Sequence, residues 1–447
     1  MPDPNPVPDP NSVPDPKSVP DPNPVPDPKL GSGTETDFVV VGAGPAGIAA
    51  ACIAAEHGLR VAVFDQGELP GGQIWRGASP TAPGAAWRER FAKSGAAYFS
   101  GASVVDLATG SDTVSLTVER ANGATVASAR SVLLATGARE LLLPFPGWTL
   151  PGVMGAGGAQ ALLKSGLNVA GKRVVVAGTG PLILAVAAAM RDAGADVLRV
   201  LEQASLANVI RFSTGLWRSP ATLAQAIALG PRIHPARFRA GAWVVAAHGA
   251  DSLQAVTIHE GGADRRLDCD MLCVGMGLVP STELARLAGC DVRAGFGGVR
   301  TDAEQRTSVP NIFAAGESAG VGGMVPAVAQ GIIVGLTVAG QDVPKNLRKR
   351  RDTLHSIAAR MHAAFALRDE LRHLARPDTL VCRCEDVPLG DVSACDSIRA
   401  AKLYTRCGMG PCQGRICGAS LQFLLGWESD TIRQPVQPAR VSTVISS

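Results

Sequence analysis

Twice in this chain a run of β-branched, apolar residues stops at a Gly-x-Gly-Pro turn and passes into an alanine-rich apolar stretch. The first copy is Phe38-Val-Val-Val41, then Gly42-Ala-Gly44-Pro45-Ala46-Gly47. The second is Arg173–Ala177, then Gly178-Thr-Gly180-Pro-Leu-Ile183. Short apolar runs bounded by glycine read as buried strands, and the stretches that follow read as helices. Helix is expected over Pro45–His57 and Leu182–Ala193, with return strands over Arg60–Phe64 and Val197–Leu201. An acid closes each return strand: Asp65, 23 positions after Gly42, and Glu202, 24 after Gly178. Two such units predict an α/β fold with two doubly wound, dinucleotide-binding domains.

The chemistry behind the first copy is specific. Gly42 permits the tight turn, Gly44 lets a pyrophosphate approach the backbone, and Gly47 lets the helix pack on its strand. The helix start, with Pro45 and Ala46, supplies amide donors and partial positive charge for phosphates. The Asp65 carboxylate can accept bonds from ribose hydroxyls. Three further segments belong with this site. Gly71-Gly72-Gln73 trails the acid, Ala135-Thr136-Gly137-Ala138 ends a strand, and Thr307–Glu317 is a strand with Gly316-Glu317 at its tip, followed by Ala329-Gln330-Gly331 opening a helix. With these segments the chain resembles the two-dinucleotide-binding-domain flavoproteins of the glutathione-reductase-like class over roughly 37–340. The resemblance implies FAD at Gly42, Gly44, Pro45, Ala46, Gly47, Asp65, Gly72, Gln73, Thr136, Gly137, Gly316, Glu317 and Gln330. In that class the position of Glu317 is more often Asp. Disulfide-reductase chemistry is set aside, because neither the segment after Gln73 nor 135–160 contains a cysteine.

The second copy is damaged. Ile183 stands where the third glycine belongs, and no basic cluster follows Glu202. Either this domain takes NADH, or it is a structural relic or holds another adenine nucleotide between Gly178 and Glu202; the damage favours the latter.

Four cysteines near the C-terminus, Cys382-Arg-Cys384 and Cys407-Gly-Met-Gly-Pro-Cys412, form two close thiolate pairs. Thiolates suit a [2Fe–2S] cluster, with structural zinc and free thiols as the alternatives. The gap of one residue in Cys382-x-Cys384 is tighter than zinc sites usually show. The wording around them, Val381-Cys-Arg-Cys-Glu-Asp-Val387 and Thr405-Arg-Cys-Gly-Met-Gly-Pro-Cys-Gln-Gly-Arg-Ile-Cys417, resembles the bacterioferritin-associated-ferredoxin-like domain. More narrowly, it resembles the version that ends the FAD-containing α or A subunits of opine oxidases, hydroxyproline and proline dehydrogenases, and hydrogen cyanide synthase. That resemblance covers about 37–425 and implies a [2Fe–2S] cluster on Cys382, Cys384, Cys407 and Cys412. It also implies a partner flavoprotein subunit of amino-acid-oxidase type, a small ferredoxin-like subunit, and a quinone or dye as acceptor. The stretch between Cys384 and Cys407 is shorter than the family pattern: either Cys395 or Cys417 can substitute as a ligand, or the domain is impaired and metal-poor.

Composition narrows the setting. A net charge of +3 gives no argument for nucleic acid. The basic run Lys345–Arg351 reads as a solvated helix start, with a membrane or polyanion contact as the alternative. Val174–Met190, the longest apolar stretch, is broken by Gly-Thr-Gly-Pro and fits strand, turn and helix better than a membrane span. Ten cysteines without a secretion signal point to reduced thiols and a cytoplasmic protein, or one peripheral at the inner face of the membrane. Cys52, Cys269, Cys273 and Cys290 read as core. The seven histidines are scattered and form no general-base motif.

The expected organisation follows. Residues 1–34 carry a Pro-Asp-Pro hexapeptide repeat, read as an extended rod of roughly 3.1 Å per residue. The flavin domain is placed at 35–160 and 265–340, with the second dinucleotide domain at 161–264. A helical connector covers 341–376, the cysteine domain 377–430 and a tail 431–447.

Overall fold

The computed structural model describes residues 36–76, 84–214, 235–428 and 432–445. The repeat at 1–34 therefore lies outside the described residues. Strand Thr36–Val41 shows why Phe-Val-Val-Val is apolar throughout. Alternate side chains point to opposite faces, so Phe38 and Val40 enter one core cluster and Val39 and Val41 another. Both faces are covered, one by helices and the other largely by residues of antiparallel strands, so the strand is apolar throughout. Its parallel neighbours are Val61–Phe64 on one side and Gly123–Leu134 on the other.

The first sheet continues from Val61–Phe64 to Ala97–Phe99. Strand Gly123–Leu134 is shared between two environments. Its first half pairs antiparallel with Val114–Arg120, which pairs with Ser103–Thr109. Its last residues pair parallel with Ile312–Ala314. Helices Pro45–Glu56 and Met324–Val338 lie together on one face. A Cβ on Gly331 would fall 2.2 Å from the Ala46 carbonyl oxygen, and one on Gly335 would fall 2.8 Å from that of Ala50. The second helix opens at Met324, so Gly331 is interior to it and serves close helix packing; this corrects the reading of Ala329-Gln330-Gly331 as a helix start.

The second sheet is wholly parallel, in the order Phe238–Ala240, Asp196–Glu202, Arg173–Gly178, Met271–Gly275, Val153–Gly155. An antiparallel meander of Trp243–His248, Ala255–Glu260 and Ala263–Asp268 joins it. This domain thus reaches from Val153 to Gly275, wider than 161–264. The apolar run Met271–Gly275 reads like any buried strand, and only its pairing with Arg173–Gly178 assigns it here. Ala138–Glu140 pairs with Leu278–Pro280 where the chain crosses between the two domains.

Helix Lys345–Ala364 leads to the cysteine-bearing segment. That segment has a short hairpin, Leu380–Cys382 with Val387–Pro388, and helices Leu389–Ser393, Ile398–Thr405 and Cys417–Leu425. The two short helices show that the shortened stretch still folds as a helical pair. It seats on the domain crossing. Trp148 Nε1 donates to the Leu380 carbonyl at 2.7 Å, Ser420 Oγ to that of Leu142 at 2.5 Å, and Arg139 Nε to that of Arg415 at 3.0 Å. Ala419 and Phe423 join the core around Leu141, Leu143 and Trp148. Among the described residues no helix is long and apolar enough to cross a membrane.

Candidate functional site

The first glycine turn opens a cavity of about 440 Å3. Gly42, Gly44, Pro45, Ala46, Asp65, Gly72, Gln73, Thr136, Gly137, Gly316 and Glu317 all line it. Gly42 adopts φ +106°, and a Cβ there would lie 2.3 Å from the Ala135 carbonyl oxygen. Gly44 has nothing within 4 Å of its Cβ position, so the backbone faces open space where a phosphate can approach. Gly47 does not line the cavity; a Cβ on it would meet the Gly42 carbonyl oxygen at 1.9 Å, so it serves the close approach of helix to turn. Gln330 stands behind the wall, accepting from the Gly316 amide at 2.6 Å and bonding His355 Nε2 at 2.7 Å.

Asp65 accepts from the Ala43 amide at 2.5 Å and the Gly67 amide at 2.6 Å. Burial raises its pKa while those amides pull it down, and the net direction is upward. Burial alone pushes the Glu317 carboxyl up. The sequence reading missed part of the wall: Arg139, Ser281, Glu283, Met324, Arg415, Val436 and Gln437. Nothing local in the sequence marks Val436 and Gln437, which arrive through the Val436 amide bond to the Val105 carbonyl at 2.9 Å.

The second glycine turn is built differently. Gly44, the residue before its helix, has φ −76°, whereas Gly180 has φ +77°, a conformation that glycine tolerates best. The altered turn leaves room for Ile183, which is fully buried beside Gly275. The helix is therefore not forced off its strand by that side chain. Glu202 accepts from the Gly180 amide at 2.7 Å and the Ala204 amide at 2.8 Å. Burial pushes its pKa up to about 7 in spite of those bonds.

The cysteines gather, but not as four. Cys382, Cys407 and Cys417 bring their Sγ atoms within 4.8 Å of one another, all buried. Cys384 and Cys412 hydrogen-bond each other beside them, and a Cβ on Gly410 would strike Cys384 Cβ at 2.2 Å. Burial raises the Cys412 thiol, but the amides of Ile416, Gly414 and Arg415 and the Cys384 thiol lower it, and the net direction is downward. The hydrogen bond that the Cys417 thiol donates to Cys407, then burial, pushes Cys417 up. Five thiols with no imidazole or carboxylate in the buried trio fit a soft metal or an iron–sulfur cluster. Cys417, outside the expected four, reaches the group because Gln413 (φ +51°) and Gly414 (φ +79°) turn the chain back into helix Cys417–Leu425. Cys395 bonds the Asp391 carbonyl instead, at 3.8 Å.

A second cavity, of about 600 Å3, runs from Cys407 and Cys417 toward the flavin-type cavity. Arg139, Glu283, Arg415 and Val436 line both.

Residues 36–331 match the pyridine nucleotide-disulphide oxidoreductase family. The chain belongs to that family. It is an FAD-dependent oxidoreductase, and it is related to named components of larger enzymes. It is 32% identical to the A subunit of opine oxidase from Agrobacterium tumefaciens, over 91% of this chain and 90% of that one. It is also 32% identical to hydrogen cyanide synthase subunit HcnB of Pseudomonas aeruginosa, over 89% and 92%. The crystal structure of L-proline dehydrogenase from P. horikoshii superposes with a TM-score of 0.64 at 18% identity, covering 92% of this chain and 79% of that one, and shows the shared fold.

Proposed function

We propose that this chain is the FAD- and [2Fe–2S]-bearing electron-transfer subunit of a multi-subunit dehydrogenase that oxidises the C–N bond of an amino acid or opine. When bound, FAD exchanges electrons in pairs and the cluster exchanges them singly. The observation that carries the reading is Arg415. It stands between Cys412 and Cys417 in sequence and lines both the flavin cavity and the cavity at the thiols.

The residues divide the work. Gly42 and Gly44 clear the backbone for a pyrophosphate, and the start of helix Pro45–Glu56 offers amides to it. Asp65, fixed by two amides, would accept from the ribose hydroxyls. Four of the five thiolates of Cys382, Cys384, Cys407, Cys412 and Cys417 would supply the cluster ligands. Arg139 and Arg415 place positive charge between the two redox sites, which favours arrival of electrons there.

Substrate chemistry is assigned to a partner flavoprotein subunit of amino-acid-oxidase type, with a quinone or dye as final acceptor. The histidines whose bonds are described support this. His57, His248, His259, His355 and His362 are tied to Ile53, Thr257, Asp264, Gln330 and Val321. None of these five is placed as a free base in the flavin cavity.

The test is metal and sulfide analysis of anaerobically purified protein, expected to give about two iron and two acid-labile sulfide per chain beside one FAD. Stoichiometric zinc without sulfide would overturn the proposal. Dye reduction by the chain with and without its copurifying subunits, against a panel of amino acids and opines, then identifies the substrate.

A further inference from the structure

The two glycine turns invite a residue-by-residue comparison. Gly42-Ala43-Gly44 with Asp65-Gln66 corresponds to Gly178-Thr179-Gly180 with Glu202-Gln203. In a dinucleotide site the middle of the turn faces the pyrophosphate, and the acid with its following residue faces the adenosine ribose. In the first site Gly44 and Asp65 are half-buried and Gln66 is exposed, although Ala43, the counterpart of Thr179, is fully buried. In the second, Thr179 is 9% exposed, Glu202 2% and Gln203 1%.

The cover is the chain itself. Thr179 Oγ1 donates to the Phe365 carbonyl at 2.9 Å. Gln203 Nε2 donates to Thr179 Oγ1 at 2.9 Å and to the Ala366 carbonyl at 3.1 Å. Gln203 Oε1 accepts from the Arg368 amide at 3.2 Å, and Arg368 Nη1 donates to the Gln203 carbonyl at 3.2 Å. A Cβ on Gly180 would lie 3.8 Å from the Phe365 ring. That ring packs edge-on to Phe212 with centroids 5.2 Å apart, and the Arg368 guanidinium sits 4.4 Å from the Trp243 centroid. Thr179 and Gln203 are thus spent on residues 365–368, while Glu202 is spent on the Gly180 and Ala204 amides.

We propose that Phe365–Arg368 is a specificity determinant: it fills the adenosine half of the second dinucleotide groove and keeps NADH, NADPH and other adenine nucleotides from this chain. A member of a pyridine-nucleotide family thereby takes no electrons from a nicotinamide, and the flavin must be reduced from elsewhere. The inference stands on the second domain alone and does not depend on the iron–sulfur assignment.

The experiment uses the full chain with its flavin. Calorimetric titration with ADP, and anaerobic titration with NADH and NADPH followed by flavin absorbance, are expected to show no saturable binding and no bleaching. The double variant Phe365→Ala/Arg368→Ala, with unchanged FAD content as the folding control, is expected to bind ADP at least about tenfold more tightly than the parent. Saturable ADP binding to the parent in this groove overturns the proposal. So does a folded double variant that binds ADP no better, which would put the exclusion on the Gly180 turn instead. If the double variant does not fold, amide hydrogen exchange on the parent decides. Unchanged exchange at 178–180 and 203–204 with ADP present supports the proposal, and slowed exchange there refutes it.

Discussion

Replacing Gly44 with alanine separates folding from cofactor binding. Gly44 has φ −76° and ψ −175°, a conformation open to any residue, and nothing lies within 4 Å of its Cβ position. Alanine at the residue before a helix is poorer than glycine by about 0.5 kcal/mol. The loss of backbone freedom in the unfolded chain returns about the same amount. The apoprotein should therefore melt within about 0.5 kcal/mol of the parent. The new methyl, however, enters the space through which a pyrophosphate meets the turn. Losing one or two hydrogen bonds to a charged group, at about 1.5–3 kcal/mol each, predicts FAD binding weaker by about 1.5–6 kcal/mol. That is about 10- to 20,000-fold in Kd. Fluorescence titration of deflavinated protein measures the affinity, and urea denaturation of the same apoprotein measures the fold. A Gly44→Ala protein with parental FAD affinity would refute the placement of the pyrophosphate. Gly42→Ala is the control: at φ +106° and 2.3 Å from the Ala135 oxygen, it should lose stability and flavin together.

Three other outcomes are expected. Cys417→Ser should lower iron and sulfide content below about half, as should Cys382→Ser, while Cys395→Ser leaves both unchanged in the same assay. The Glu202 carboxyl, raised by burial from 4.5 to about 7, holds its proton more tightly folded than unfolded. Its contribution to stability is therefore full below pH 4.5 and is lost as pH rises toward 7, by about 3 kcal/mol at about 1.4 kcal/mol per pH unit. Urea midpoints across that window should fall with pH in the parent and flatten in Glu202→Gln. Trp148→Phe removes the donor to the Leu380 carbonyl at 2.7 Å, costs about 1–3 kcal/mol, and should speed hydrogen exchange across 380–388 while leaving the first sheet unchanged.

What the sequence disclosed is what depends on neighbours in the chain. Phe38–Val41 and Val174–Ala177 are buried on both faces, so they are apolar throughout, and the glycines after them are fixed by the local backbone. The lining of the cavity at the first glycine turn was legible where each segment carries its own turn, as at Gly72-Gln73 and Gly316-Glu317. Features set by distant packing were not legible. Met271–Gly275 looks like any buried strand, and only its register against Arg173–Gly178 assigns it to the second domain. Cys417 joins the thiols through the backbone turn at 413–414. Arg415 looks like an ordinary basic residue until two cavities are seen to share it. The cover over Gln203 comes from residues more than 160 positions away.

The first sheet has an implication for synthesis of the protein. Strand Gly123–Leu134 leaves the ribosome long before Ile312–Ala314, the partner it must hold against its last residues. Everything between Val153 and Gly275 emerges first and can close its own parallel sheet. The nascent chain therefore carries an unpaired edge at Val132–Leu134 while a complete domain folds beside it. Such edges recruit other strands, so a pause in translation ahead of residue 312 would expose this protein to aggregation more than a pause after it.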